Sequence, residues 1–256
     1  MNDIPSYNAR ALTLFLAGSA LITMSALVTS FPLFIFIAFA PFFALLDFSW
    51  SSKIYFVLLA SVAGLLTEIV LYSFDLNTPA LTYIFLITAL FCSFRIAQQF
   101  TQNRLNKFTL VILVIALEFL LLKFLTQTDP FFLADFVRYK PEWTRWNMYT
   151  GYLGTSLWIM ATNLLMYQAI FKSGKVNILF ALIGVLSIVV PILYSLQLEN
   201  DTITKQEMLN AYSINPSSLK NAYTPYGELI SRTGAWVSIL IIIFTLVRIK
   251  TRKVAR

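Results

Sequence analysis

The chain has no histidine at all and a single cysteine, Cys92. The first absence removes the commonest general base and the commonest metal ligand. The second excludes an intramolecular disulfide and any zinc site built on cysteines. Cys92 lies in the apolar run FCSF, where a buried structural thiol is the expected reading. Charge is also scarce: 12% of residues are charged, against about 25% in ordinary soluble proteins. That leaves too little polar surface to cover a water-soluble fold. Glycine and proline are few, so long flexible linkers are not expected. No Ser-His-Asp set is possible, and no glycine-rich phosphate loop appears. No metal, cofactor or catalytic constellation is expected.

What is present is apolar. Hydrophobic residues make up 58% of the 256, with 23 Phe, and the mean hydropathy is +0.74. A bilayer core of about 30 Å needs roughly 20 apolar residues in a helix. The sequence predicts an all-α fold, a polytopic transmembrane bundle of eight spans forming one domain. They cover Ala11–Thr29, Phe31–Phe48, Ile54–Phe74, Pro79–Phe100, Phe108–Leu125, Gly151–Phe171, Val176–Leu196 and Gly234–Ile249. Only Ser30 separates the first two, which form either a tight hairpin or one broken element, and Pro41 predicts a kink in the second. The first span lacks a clear cleavage site and runs at once into another, unlike a signal peptide.

The net charge of +7 is read by position. With the N-terminus inside, Lys53, Arg104, Lys107, Lys172, Lys175 and the basic tail RIKTRKVAR fall on the inner side, while most acids fall outside. Both termini are therefore expected to be cytoplasmic. The tail reads as a stop-transfer flank near anionic lipid, not as a nucleic-acid site.

Two outer loops are long, 126–150 and 197–233. The first is rich in aromatics, among them Tyr139, Trp143, Trp146 and Tyr149. An interfacial belt at headgroup level is one reading. The other is a lipid or partner surface, with Arg138, Lys140 and Arg145 facing phosphates beside Trp146 and Tyr149. The second loop is polar, with a short surface helix expected over Thr202–Asn210. Two carboxylates, Glu68 and Glu118, lie within spans, as does Asn163. Ionisable groups there face the bundle interior or a wet cavity, and amides bond across helices. Glu118 and Asn163 are candidate lipid-binding residues, with a purely structural role as the alternative for each.

Several stretches resemble apolipoprotein N-acyltransferase, a bacterial inner-membrane enzyme family. FPLFIFIAFAPFFALLD resembles its second span. ALEFLLLKF resembles its Glu-Trp-Leu-Arg span, with Glu118 at the Glu, Phe119 for the Trp and Leu121 for the Arg. PEWTRWNMYTGYLGTSLWIMATNLLMYQAI resembles its T-G-x-x-G turn (Thr150, Gly151, Gly154) and the following span with Asn163. TPYGELISRTGAWVSILIII resembles its closing segment, with Thr224, Tyr226, Gly234 and Trp236 in place. The family carries a nitrilase-like domain with a Glu-Lys-Cys triad between its last two spans. Here that slot holds only 197–233, without a cysteine. The resemblance therefore implies the membrane scaffold without the acyl-transfer chemistry. It predicts a non-catalytic protein of the inner membrane that binds phospholipid or lipoprotein acyl groups, or scaffolds a separate nitrilase-like partner. An accessory subunit or small transporter is one alternative. A membrane enzyme using Glu68, Glu118 or the outer-loop acids on a lipid-linked substrate is another.

Overall fold

The computed structural model describes residues 4–28, 30, 32–47, 106–124, 131–198 and 229–254. Every regular element among them is helical, and none is a strand. The expected spans 54–74 and 79–100, with Glu68 and Cys92, lie outside the described residues, as does the surface helix expected at 202–210.

Helix α1 covers Ile4–Leu27. The second expected span is two short helices, α2 (Ile35–Ala38) and α3 (Ala40–Leu45), broken at Phe39. Pro41 lies in the first turn of α3, where its missing N–H costs nothing to the new helix. Helix α4 covers Asn106–Phe124. Two 3-10 turns follow, Leu133–Val137 and Pro141–Trp143, then the single turn α5 (Asn147–Thr150). Helices α6 (Tyr152–Ile170) and α7 (Ile178–Gln197) are joined by a turn with Gly174 at positive φ. Helix α8 covers Leu229–Val254.

Helix α6 is the axis of the bundle. It packs on α2 and α3, on α4, on α7 and on the 133–137 turn. Helix α8 packs chiefly on α4. A Cβ at Gly234 would lie 3.8 Å from Ile115, and the Ser238 hydroxyl lies 3.5 Å from the Ile112 carbonyl. Advancing along α8 thus retreats along α4, so the pair is antiparallel. Helix α1 closes on α3, where the ring of Phe42 fills the notch left by Gly18.

Among the described residues, Ile178–Gln197 is the helix both long and apolar enough to cross a membrane, with a mean hydropathy of 2.5. Only 11% of its most apolar stretch is buried in the protein. Helices α4 and α6 have 19 residues each, about 28 Å at helical rise. Helix α4 carries three charged residues, Lys107, Glu118 and Lys123, and polar residues such as Asn163 and Gln168 lower the hydropathy of α6.

Candidate functional site: a carboxylate-held loop and its surroundings

The candidate residues fall into separate places, each holding the backbone of a different segment. Glu118, near the end of α4, is fully buried, and its Oε1 accepts the Leu133 N–H at 2.7 Å. The neighbouring N–H groups are held in the same way. Phe132 N–H donates to Asp135 Oδ2 (2.8 Å) and Ala134 N–H to Ser156 Oγ (3.1 Å). The other carboxylate oxygen of Asp135 accepts the Tyr152 hydroxyl. Residues 131–137 are buried throughout. Buried main chain outside helices must find partners for its donors. Acceptors from α4, α6 and the turn itself provide them.

This part of the 126–150 loop therefore sits inside the bundle. Trp143, a candidate for an interfacial belt, is 8% exposed. Trp146 is half-buried, donates to the Trp143 carbonyl at 3.1 Å and meets the Trp158 ring edge-on. Tyr149 and Tyr139 remain exposed.

The loop cations have partners within the protein. Arg138 lies over the Tyr139 ring, 4.7 Å from its centroid, and donates to the Tyr139 hydroxyl at 2.6 Å. Lys140 pairs with Glu142 at 3.3 Å. Arg145 closes the end of α7: its N–H donates to Ser195 Oγ (2.7 Å) and its guanidinium to the Leu198 carbonyl (2.8 Å). A cation there satisfies an orphan carbonyl and suits the negative end of the helix dipole. At the other end of α7, Asn177 Oδ1 accepts from Leu179 and Phe180.

Asn163 is fully buried near the middle of α6. In an unbroken helix Phe39 N–H would donate to the Ile35 carbonyl. Here the Asn163 amide stands between them. Its Oδ1 accepts from Phe39 (2.7 Å), and its Nδ2 donates to Ile35 O and Ile159 O (2.8 Å each). It splints the break between α2 and α3. Glu118 and Asn163 thus hold different segments, the loop and the broken helix.

Two groups of residues not singled out as candidate sites complete the polar framework. Pro191 in α7 leaves the Ser187 carbonyl without its helical donor, and the Trp158 indole supplies one at 2.5 Å. At the end of the bundle opposite the loop, Lys107 pairs with Asp47 and donates to Tyr167 Oη (2.5 Å), which donates to Asp47 at 2.6 Å. This joins the ends of α3, α4 and α6. A sequence signal existed: Asp47 and Lys107 lie at the same expected end of two spans with opposite charge. No group of His, Cys, Asp and Glu suited to a metal ion occurs among the described residues. Compared with protein-family models, with curated proteins and with solved structures, the chain matches none.

Proposed function

We propose that this protein is a multi-pass helical scaffold of the bacterial cytoplasmic membrane, with eight spans and both termini cytoplasmic, that binds a lipid acyl chain and performs no chemistry on it. One observation carries this reading: α7 and α8 turn apolar faces outward, while several polar groups are buried in an otherwise apolar core. Large aliphatic and aromatic side chains are exposed along α7 (Leu179, Leu182, Leu186, Val190, Leu193) and α8 (Trp236, Leu240, Ile243, Phe244, Val247). Glu118, Asp135, Asn147, Ser156 and Asn163 are buried. Soluble monomers rarely expose apolar patches beyond a few hundred Å², whereas in lipid such faces are the solvated ones and polar groups turn inward.

The motif resemblance to the membrane part of apolipoprotein N-acyltransferase supports a lipid or lipoprotein acyl group as the ligand. The T-G-x-x-G stretch has a physical basis that suits a retained scaffold. Gly151 adopts φ 75°, and a Cβ on Gly154 would lie 2.3 Å from the Thr150 hydroxyl. The role of platform for a separate nitrilase-like protein rests on that resemblance alone. The catalytic alternative has less support. Glu118 and Asp135 do converge on adjacent peptide groups, but beneath packed side chains rather than in an open cleft.

Native mass spectrometry on protein purified in mild detergent from its own host tests the proposal. A phospholipid or acylated peptide retained at defined stoichiometry is the expected result. Protein that retains no lipid, even after reconstitution, would overturn it. A copurifying nitrilase-like chain would instead favour the platform role.

A further inference from the structure

The turn between α6 and α7 presents Lys172 and Lys175 on a fixed frame. Residues 172–179 are all exposed. Asn177 N–H donates to the Ala169 carbonyl at 2.8 Å, and Ser173 Oγ to the Lys175 carbonyl at 2.7 Å. Gly174 adopts φ 68°, and a Cβ there would meet nothing within 4 Å, so the tip faces open space between the two lysines. Other cations are engaged. Arg10, Lys107, Arg138, Lys140 and Arg145 each interact with another group of the protein. Among the described residues, no acid, carbonyl or ring partners the ammonium of Lys172 or Lys175. Directly beyond them lies uncovered apolar surface. Ile178 is 79% exposed, and Leu179, Leu182, Leu186 and Val190 continue outward-facing along α7. Their spacing of three to four residues sets these four on one side of the helix. From Leu179 to Val190 the strip runs about 17 Å at helical rise, close to the ~15 Å hydrocarbon depth of one leaflet.

We propose that this end of α7 is a docking surface for an anionic phospholipid, with the phosphate between Lys172 and Lys175 and one acyl chain along Leu179, Leu182, Leu186 and Val190. The inference rests on the lipid-binding reading above and names the headgroup class and the place. Charge complementarity selects the occupant. Two uncompensated cations beside an uncovered apolar strip match an amphiphile with a net negative head. A zwitterionic lipid brings its own ammonium, which the lysines repel. A soluble anion would satisfy the lysines and leave the strip bare. The phosphate contacts come from the side chains, because Asn177 Oδ1 already accepts from the Leu179 and Phe180 N–H groups at the start of α7. Lysine stems can lie along apolar surface while their ammonium groups stay at headgroup level, where they attract anionic lipid.

The test gives the full chain in mild detergent an equimolar mixture of phosphatidylglycerol and phosphatidylethanolamine with identical acyl chains, and counts the bound lipids by native mass spectrometry. Phosphatidylglycerol is expected to be favoured by at least about fivefold. In the double variant Lys172→Gln/Lys175→Gln the preference is expected to vanish. In Lys172→Arg/Lys175→Arg, which keeps both charges, it is expected to persist. Lys140→Gln, at a lysine already paired with Glu142, is expected to leave it unchanged. Equal unfolding midpoints for the variants separate loss of the site from loss of the fold. Wild-type protein that binds both lipids equally, or a preference that survives Lys172→Gln/Lys175→Gln, would overturn the docking surface while leaving lipid binding intact. Failure to bind either lipid would remove the reading beneath it and the docking surface with it.

Discussion

Trp158 and Asn163 lie on one helix, and each repairs a defect in another. The indole N–H of Trp158 reaches the Ser187 carbonyl that Pro191 deprives of its donor. The Asn163 amide bridges the Phe39 N–H and the Ile35 carbonyl across the break between α2 and α3. A buried polar group without a partner costs about 1–3 kcal/mol. Asn163→Leu strands two such groups and should lower stability by about 2–4 kcal/mol, read as an earlier midpoint in reversible detergent unfolding. Trp158→Phe should cost about 1 kcal/mol for the lost bond, plus the smaller ring's lost packing. In a Pro191→Ala background the residue at 191 regains its N–H and can serve Ser187 itself. The cost of Trp158→Phe should then fall by about 1 kcal/mol, a coupling that a double-mutant cycle isolates. Equal costs in both backgrounds would mean that the indole bond does not compensate for Pro191. These roles were partly legible in the sequence. An amide in a span announces an interhelical bond, but its partner lies 124 residues away, and no local pattern encodes that distance.

At the scale of elements, helices α4, α6 and α7 begin and end close to where apolar runs meet polar flanks, whereas α1 begins at Ile4, seven residues before its expected start at Ala11 and within the polar flank. Those ends are legible because burial or lipid contact demands an apolar face while the flanks require water. The break in the second span was signalled by Pro41, although the chain departs from the helix at Phe39, two residues earlier. The loop was the least legible element. Aromatic, Asp and Pro residues over 126–150 suit an interfacial belt as well as a buried turn. What decides between them is the placement of Glu118 and Ser156 on helices far apart in sequence. The corner between α5 and α6 offers a sharp test. Gly151→Ala forces a side chain into a conformation favourable only to glycine (φ 75°, ψ 168°), and should cost about 1–3 kcal/mol. Gly154→Ala drives a methyl into Thr150, and overpacking of this kind costs about 1–3 kcal/mol. Thermal unfolding in one detergent checks both, and an unchanged midpoint for either would contradict the tight corner.

For the whole molecule, the proposed function requires a bundle that threads the membrane repeatedly, with the 131–150 loop on one side and the 172–177 turn on the other. The antiparallel passage of α4 and α8 and the chain reversal from α6 to α7 support it. So does the separation of the Asp47–Lys107–Tyr167 cluster from the Glu118–Asp135–Tyr152 cluster at opposite ends of α4 and α6. The most direct measurement uses single cysteines in a Cys92→Ser background, at Ser173 in the turn and at exposed Tyr139 in the loop. Each is labelled with an impermeant maleimide in intact spheroplasts and again after lysis. With the proposed threading, Tyr139→Cys labels before lysis, and Ser173→Cys labels only afterwards. Labelling of both before lysis, or of neither until lysis, would contradict the threading and the function built on it.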